Sequence, residues 1–294
     1  MATPLTLVQT VAALTKWHCP FEVYPGAATR GRPGGITDVH GIGEHHTGGG
    51  SASPSYLKFL FVDGRPEDGI PGPLCNVATD KDGVVHIGAV GRANHFGEGS
   101  AATLKHVTDE DYAGYTSELK PGPDAINGNP RYYGNEWIYS GTVPPTDKQY
   151  RAAVLHAAAI CDAHGWSALS AIAHREHTGR KKDPFGVRMY TFRRDVRAVL
   201  LAGPKATVNY VVTGSLAVPN PPAPKPPEEH TVTPEQMATV ADQISLNTLW
   251  LHYRLLDDLR DVAGQTKAPE LELLDTKAAA ALTAYQKKLT EMKA

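Results

Sequence analysis

The chain has 294 residues, and its 29 lysines and arginines nearly balance its 31 aspartates and glutamates. The formal net charge of −2 gives no support for a nucleic-acid-binding protein, and the hydrophobic content of 41% is ordinary for a soluble one. No stretch reaches the roughly 18 consecutive apolar residues that a membrane helix needs. No basic start precedes an apolar run as in a secretory signal, so we expect a protein made in the cytoplasm.

The three cysteines are Cys19, Cys75 and Cys161. An odd number at such wide spacing does not form a disulfide framework, so we expect reduced thiols. Cys161 lies on the apolar face of a helical pattern and is predicted to be part of the core.

Residues 4–16 predict a short amphipathic helix, because Leu5, Val8, Val11 and Leu14 have helical spacing. A loop rich in proline, glycine and arginine follows. We expect residues 1–34 to pack on the domain that comes next.

The first strand is predicted before Gly48, where paired histidines, His45 and His46, precede a glycine-rich turn. Neighbouring side chains on a strand point to opposite faces, so only one of the two histidines can reach a given metal. The alternative is a pair of surface histidines at a strand end.

The next elements are less uniform. Periodicity alone does not separate helix from strand for residues 56–62. Residues 75–79 and 84–90 predict two strands joined by a hairpin at Asp80-Lys81-Asp82-Gly83. The polar residues 103–132 indicate an insertion or a lid-like loop.

The elements predicted between residues 137 and 201 include one helix with clear caps. Residues 137–139 predict a strand, and Thr146 caps a helix that ends at His164 before Gly165. A closing helix is predicted over residues 189–201. A strand-rich core flanked by helices indicates an α/β (α+β) fold with a central mixed β-sheet.

A basic loop carries the strongest chemical signal. His174, Lys181 and Asp183 place an imidazole, an ammonium and a carboxylate within ten residues. Histidine and aspartate are zinc ligands, and hydrolytic zinc needs about three protein ligands and an open position. The alternative is an ordinary basic surface loop.

Three motifs in order resemble the zinc N-acetylmuramoyl-L-alanine amidases, a family that includes phage endolysins, bacterial recycling amidases and peptidoglycan recognition proteins. They are the His-His-Thr-Gly strand end, the Asp-Gly-Val-Val-His…Gly-Arg-Ala-Asn-His stretch from Asp82 to His95, and the His…Gly-Arg-Lys-Lys-Asp-Pro loop. The resemblance covers roughly residues 30–200. It implies a catalytic domain over residues 35–202 and favours helix for residues 56–62.

The resemblance also implies the site. The residues that match the zinc ligands are His45, His174 and Asp183. Those that match catalytic groups are Glu136, a general base and acid, and Lys181, an oxyanion contact. His95 and Asn94 match substrate-binding positions. The implied reaction is zinc-assisted hydrolysis of the amide between N-acetylmuramic acid and L-alanine in peptidoglycan.

One position departs from the family pattern. Many members have a tyrosine where this chain has Cys75, so that role is absent or filled by another group, with Glu136 the leading candidate. The departure supports an alternative, a peptidoglycan-binding protein with impaired catalysis. The resemblance to phage endolysins further implies an enzyme made in the host bacterial cytoplasm that acts on the cell wall after release.

The C-terminal third differs in character. Residues 203–230 are predicted as a linker, with a possible strand at 208–212 and a semi-rigid proline-rich segment at Pro219–Pro227. Residues 231–294 predict two amphipathic helices. Such a hairpin cannot bury its apolar faces alone, and we expect it to self-associate, with cell-wall targeting or docking on the catalytic domain as the alternatives.

Truncation within Pro219–Pro227 is expected to leave a folded, monomeric amidase, because proline-rich segments make few core contacts. The full chain is expected to be larger than a monomer, since two lone helices bury little surface. Light scattering measures both masses. A monomeric full chain whose truncation abolishes binding to cell walls would instead identify a targeting module.

Overall fold

The computed structural model describes residues 2–216. The α-helices are α1 (Leu7–Lys16), α2 (Pro54–Lys58), α3 (Ala101–Asp109), α4 (Asp147–His164), α5 (His174–His177), α6 (Met189–Ala202) and α7 (Tyr210–Thr213). The strands are β1 (Phe21–Val23), β2 (Ile42–His46), β3 (Gly64–Arg65), β4 (Ile70–Pro71), β5 (Val77–Thr79), β6 (Val85–Ile87), β7 (Glu98–Ser100), β8 (Asp124–Asn127), β9 (Tyr133–Trp137) and β10 (Ala171–Ala173).

Six strands form the central sheet in the order β1-β6-β5-β9-β2-β10. The β5–β6 pair is antiparallel and the other four pairs are parallel. Helices flank this sheet, so the predicted α/β (α+β) fold with a central mixed sheet is confirmed. The predicted hairpin of β5 and β6 is confirmed as well.

The three strands β9, β2 and β10 run parallel and end at the same edge of the sheet. In their register His45 lies opposite Glu136, and Glu44 lies opposite Ala173, the residue before His174. Parallel register therefore brings residues far apart in sequence to one end of the sheet. In open α/β sheets this carboxyl end is where ligands bind.

Helix α4 has the predicted bounds because its caps are strong. Thr146 Oγ1 accepts the Gln149 N–H at 3.2 Å, and Gly165 ends the helix in the left-handed region at φ 70°. Its buried face is rich in alanine, which lets the helix lie close to its neighbours. Helices α1 and α6 pack against it.

Helix α1 is also confirmed, and its start is fixed locally. Thr6 and Gln9 form a capping box in which each side chain accepts the other's backbone N–H. At its end, Asp162 of α4 accepts hydrogen bonds from Lys16 and from Trp17 Nε1. Val8 is 79% exposed, so its predicted place on the buried face is wrong.

Two predictions between β6 and α4 need correction. Residues 103–132 are not one polar loop: α3 starts where Ser100 Oγ accepts the Thr103 N–H, and β8 pairs with β7. The strand predicted at 137–139 lies at Tyr133–Trp137 instead. Its Gly-Asn-Glu centre has no apolar alternation, and pairing with β2 and β5 decides its position.

Residues 208–212, predicted as a strand or extended connector, are helical. A 3₁₀ turn at Pro204–Thr207 leads into α7, and Thr207 and Tyr210 are buried. The linker predicted from residue 203 therefore does not start before the end of α7. The predictions for the proline-rich segment and for residues 231–294 lie outside the described residues.

Within residues 2–216, no helix is both long enough and apolar enough to span a membrane. Cys19, Cys75 and Cys161 are all buried and free. Cys161 is in the core, as its helical pattern predicts.

A buried ion pair fixes the helix that starts at His174. Arg193 of α6 contacts both carboxylate oxygens of Glu176 at 3.0 Å, and both side chains are fully buried. Glu176 also accepts the backbone N–H groups of Ala173 and Leu119. Partners from α6 and from residue 119, together with the backbone just before α5, thus meet both carboxylate oxygens of Glu176, and the ion pair holds α5 in place.

Replacing Arg193→Leu is expected to lower the free energy of unfolding by about 3–5 kcal/mol, because Glu176 would keep a buried charge without its partner. Chemical denaturation measures the change. The exposed Arg197→Leu on the same helix is the control, with a loss under about 1 kcal/mol. Equal losses for both variants would contradict a role for the buried pair.

Candidate metal centre

Three predicted ligands converge at the carboxyl end of the sheet. His45 Nδ1 lies 2.9 Å from His174 Nδ1 and 3.3 Å from Asp183 Oδ2, and His174 Nδ1 lies 3.0 Å from that same oxygen. The two imidazoles are buried, and the carboxylate is largely so. Within residues 2–216, this is the group of histidine and acidic side chains arranged to hold a metal ion.

The tautomer of His174 follows from its second nitrogen. His174 Nε2 lies 3.1 Å from the carbonyl oxygen of Phe96. A carbonyl can only accept, so Nε2–H is the donor to Phe96, and Nδ1 is the nitrogen available to a metal. His174 Nδ1 faces Asp183 and His45.

The tautomer of His45 is fixed through a second histidine. His95 Nε2 lies 3.1 Å from the carbonyl oxygen of Tyr132, so it is the protonated nitrogen of that ring. His95 Nδ1 then accepts the Nε2–H of His45 across 3.0 Å, which leaves a lone pair on His45 Nδ1. Burial, followed by the nearby His174, lowers the pKa of His45 to about 3, in agreement with a neutral ring.

The Nδ1 atoms of two imidazoles and a carboxylate oxygen therefore face one another. With both rings neutral, this set presents three acceptors to a cation. Zinc binds nitrogen and oxygen at about 2.0–2.1 Å in a tetrahedron, which separates ligand atoms by about 3.3–3.4 Å. The three observed separations are within about 0.4 Å of that value. The donor set fits zinc, with a fourth position left for substrate or water.

Glu136 lies beside His45, His174 and Asp183, which are called the triad below. It is the register partner of His45 on β9, so both side chains lie on the same face of the sheet. Its Oε2 is shielded from solvent and has no hydrogen-bond partner among the described residues. Burial, and then the charge of Asp183, raise the pKa of Glu136 well above its usual range, with Lys181 opposing the shift.

Lys181 reaches the site from the loop before Asp183. Its backbone N–H donates to the carbonyl of Thr178 at 3.3 Å, and the residue is exposed. The charge of Lys181 acts on the pKa values of both His45 and Glu136. An exposed ammonium near the triad can stabilise negative charge on a bound ligand.

His46 makes different contacts from those of His45. Its Nδ1 accepts the backbone N–H of Phe185 at 3.1 Å, two residues after Asp183. The carbonyl of Phe185 accepts the hydroxyl of Tyr139 at 2.6 Å. Of the paired histidines, the first faces the triad and the second holds the loop that carries Asp183.

The two predicted substrate contacts lie elsewhere. The His95 ring is buried behind His45, with both nitrogens engaged. Asn94 Nδ2 donates to the carbonyl of Pro71 at 2.7 Å, and the Asn94 backbone N–H donates to Pro73 at 2.8 Å. Asn94 thus holds a neighbouring turn, and both ring nitrogens of His95 are engaged by protein groups.

The sequence analysis did not identify the residues that hold residues 95–97 in position. Asn129 Oδ1 accepts the backbone N–H groups of His95, Phe96 and Gly97 at 2.9, 2.8 and 3.0 Å. Phe96 stacks on the ring of His174, with centroids 5.2 Å apart. Asn129 ends an Asn-Gly-Asn run, a pattern typical of turns, but nothing in the sequence connects this run to residues 95–97.

A buried thiol occupies the position of the family tyrosine. Cys75 is fully buried, and burial, followed by the charge of Glu136, raises the pKa of the thiol. Tyr56 of α2 brings a phenol to this region, where its hydroxyl donates to the carbonyl of Gly49 at 3.0 Å. Burial raises the pKa of Tyr56, and the charge of Glu136 adds to the shift.

Several solved structures resemble this chain in part. A selenomethionine derivative of AmpD has 17% identity and a TM-score of 0.40, covering 61% of this chain and 94% of that one. The amidase LysC from Clostridium intestinale URNW has 12% identity and a TM-score of 0.39, covering 62% and 97%. The hydrolase AmiA from Staphylococcus aureus has 13% and 0.38, covering 68% and 94%. No curated protein matches the chain.

These structural likenesses are weak, and the assignment does not depend on them. A family model described as N-acetylmuramoyl-L-alanine amidase matches residues 36–186. The match spans just over half of the 294 residues and includes the triad, Glu136 and Lys181. The chain therefore belongs to the N-acetylmuramoyl-L-alanine amidase family.

Proposed function

We propose that this protein is a zinc-dependent amidase that hydrolyses the bond between N-acetylmuramic acid and L-alanine in peptidoglycan. The observation that carries the proposal is the convergence of His45 Nδ1, His174 Nδ1 and Asp183 Oδ2 within 3.3 Å of one another. Zinc bound there supplies a Lewis acid that activates water and polarises the amide carbonyl.

The remaining steps belong to side chains of this chain. Glu136 takes the proton of the attacking water and returns it to the leaving amine of L-alanine. Burial raises the pKa of Glu136, which favours its protonated form and so the donation of a proton to the leaving amine. Lys181 stabilises the negative charge that develops on the carbonyl oxygen.

A peptidoglycan-binding protein with impaired catalysis is the second candidate. The observation in its favour is Cys75, which puts a buried thiol where many family members have a tyrosine hydroxyl. Such a protein would bind the same polymer without releasing product.

Purified protein on purified peptidoglycan separates the two functions. The amidase is expected to generate new L-alanine amino termini and no new reducing ends, and a chelator is expected to abolish the reaction. Binding to peptidoglycan with no new amino termini would favour the second candidate. Reducing ends without amino termini would indicate a glycosidase and contradict the proposed bond.

The first variant test concerns the metal. His174→Ala is expected to lose nearly all bound zinc, because it removes one of three protein ligands. His46→Ala is expected to keep stoichiometric zinc, since His46 binds the backbone of Phe185 instead. Metal analysis of the purified variants measures both, with His106→Ala, whose half-exposed side chain lies beside Asp111, as the control. Zinc that is lost in His46→Ala and retained in His45→Ala would exchange the roles of the paired histidines.

The second variant test concerns turnover. Glu136→Gln is expected to keep zinc and lose about 10²–10⁴-fold in rate. Lys181→Ala is expected to keep zinc and lose about 10²–10³-fold. The neighbouring exposed Lys182→Ala is the matched control and should retain its rate. Wild-type rates in the first two variants would remove these residues from the mechanism.

We propose further that the amidase serves phage-induced lysis of a host bacterium. The support is the resemblance of its motifs to a family that includes phage endolysins. Expression inside a bacterium, with and without a separate membrane-permeabilising protein, tests this role. Lysis that needs both proteins is expected, and intact cells under both conditions would contradict it.

A further inference from the structure

His95 lies on the Nε2 side of the His45 imidazole, while the ligands of the triad lie on its Nδ1 side. The two rings meet edge to face at 90°, with centroids 5.1 Å apart. Only 8% of His95 is exposed. A residue in this place can act on the metal centre only through His45.

The direction of each hydrogen bond in this chain is fixed by its far end. The carbonyl of Tyr132 accepts from His95 Nε2, so His95 Nδ1 has a lone pair and accepts the Nε2–H of His45. Reversing the His45–His95 bond would put a second proton on His95 and a charge in a buried site.

The backbone around His95 is adapted to this ring. A Cβ atom on Gly134 would lie 2.5 Å from Cγ of His95, so glycine is needed for the ring to rest on β9. Gly134 is the register partner of Gly43, where a side chain would collide with the ring of Phe96. Because these two facing positions have no side chain, the rings of His95 and Phe96 can lie against strands β9 and β2. Asn129 accepts the backbone N–H groups of the same two residues.

We propose that His95 is a positioning residue that accepts the Nε2–H of His45 and so keeps the lone pair of His45 Nδ1 directed at the metal. This inference rests on the zinc site of the proposed function. It replaces the substrate contact expected from the sequence. Partners of this kind set the tautomer and orientation of a ligating histidine, and their loss typically costs about 10–100-fold in metal affinity.

Two substitutions of similar size separate the acceptor from the rest of the ring. In His95→Asn, Oδ1 takes the place of Nδ1 and can still accept from His45. In His95→Gln, the amide reaches the place of Nε2 and can still donate to Tyr132, but no acceptor remains at the δ position. The glutamine variant therefore loses the acceptor while it keeps the volume, the polarity and the Tyr132 hydrogen bond, and the asparagine variant restores the acceptor alone.

Zinc affinity, measured by competition with a chromophoric chelator, is the first readout. His95→Gln is expected to bind zinc about 10–100-fold more weakly than wild type, and His95→Asn within a few-fold of it. Thermal unfolding of the metal-free proteins checks that both variants fold. Equal affinities for the two variants, whether both normal or both reduced, would overturn the proposal. Normal zinc affinity with an equally raised KM in both would restore His95 as a substrate contact.

The tautomer of His45 is the second readout and needs no metal. Nitrogen NMR of the metal-free protein is expected to show His45 protonated at Nε2 in the wild type and in His95→Asn, but not held there in His95→Gln. An Nδ1–H tautomer in the wild type would overturn the proposal. A wild-type protein with the expected tautomer but no affinity for zinc would instead refute the proposed function and leave the role of His95 intact.

Discussion

The architecture of the site depends on one constraint: parallel strands end at one edge of the sheet and bring two imidazoles and a carboxylate to contact distance. The carbonyls of Phe96 and Tyr132 orient this arrangement from outside, since they accept the Nε2–H groups of His174 and His95. The Nδ1 atoms of His45 and His174 therefore face Asp183. With both rings neutral, these three atoms are acceptors in a site shielded from water, and a bound cation relieves their mutual repulsion.

The three candidate ligands could be predicted from the sequence because their motifs resemble those of a known family. The structure supplies the geometric reason that two of them meet: β2 and β10 pair in parallel and end at one edge of the sheet, so the histidine at the end of β2 lies near the histidine just after β10. Helix α4 could be predicted from the sequence itself, because Thr146 and Gly165 are strong local caps. Cap signals of this kind act over a few residues and need no tertiary contact.

Other features depend on contacts that no local pattern records. The orientation of His95 depends on Tyr132 and Gly134, which lie just before β9 and within it, some forty residues later in the chain. Strand β9 was misplaced, because its polar centre is buried through hydrogen bonds such as that of Asn135 to Glu44. Helix α7 was mistaken for extended chain, because the β-branched valines favour strand locally while burial against α4 decides for helix.

The order of the ligands along the chain has a consequence for biosynthesis. His45 and His174 are 129 positions apart, and Asp183 follows nine residues after the second. Closing a loop of that length costs conformational entropy, which the pairing of β2 with β10 offsets. A chain interrupted anywhere before residue 183 lacks at least one of the three side chains, however much of the sheet it has formed. The complete site therefore requires synthesis of the chain through residue 183.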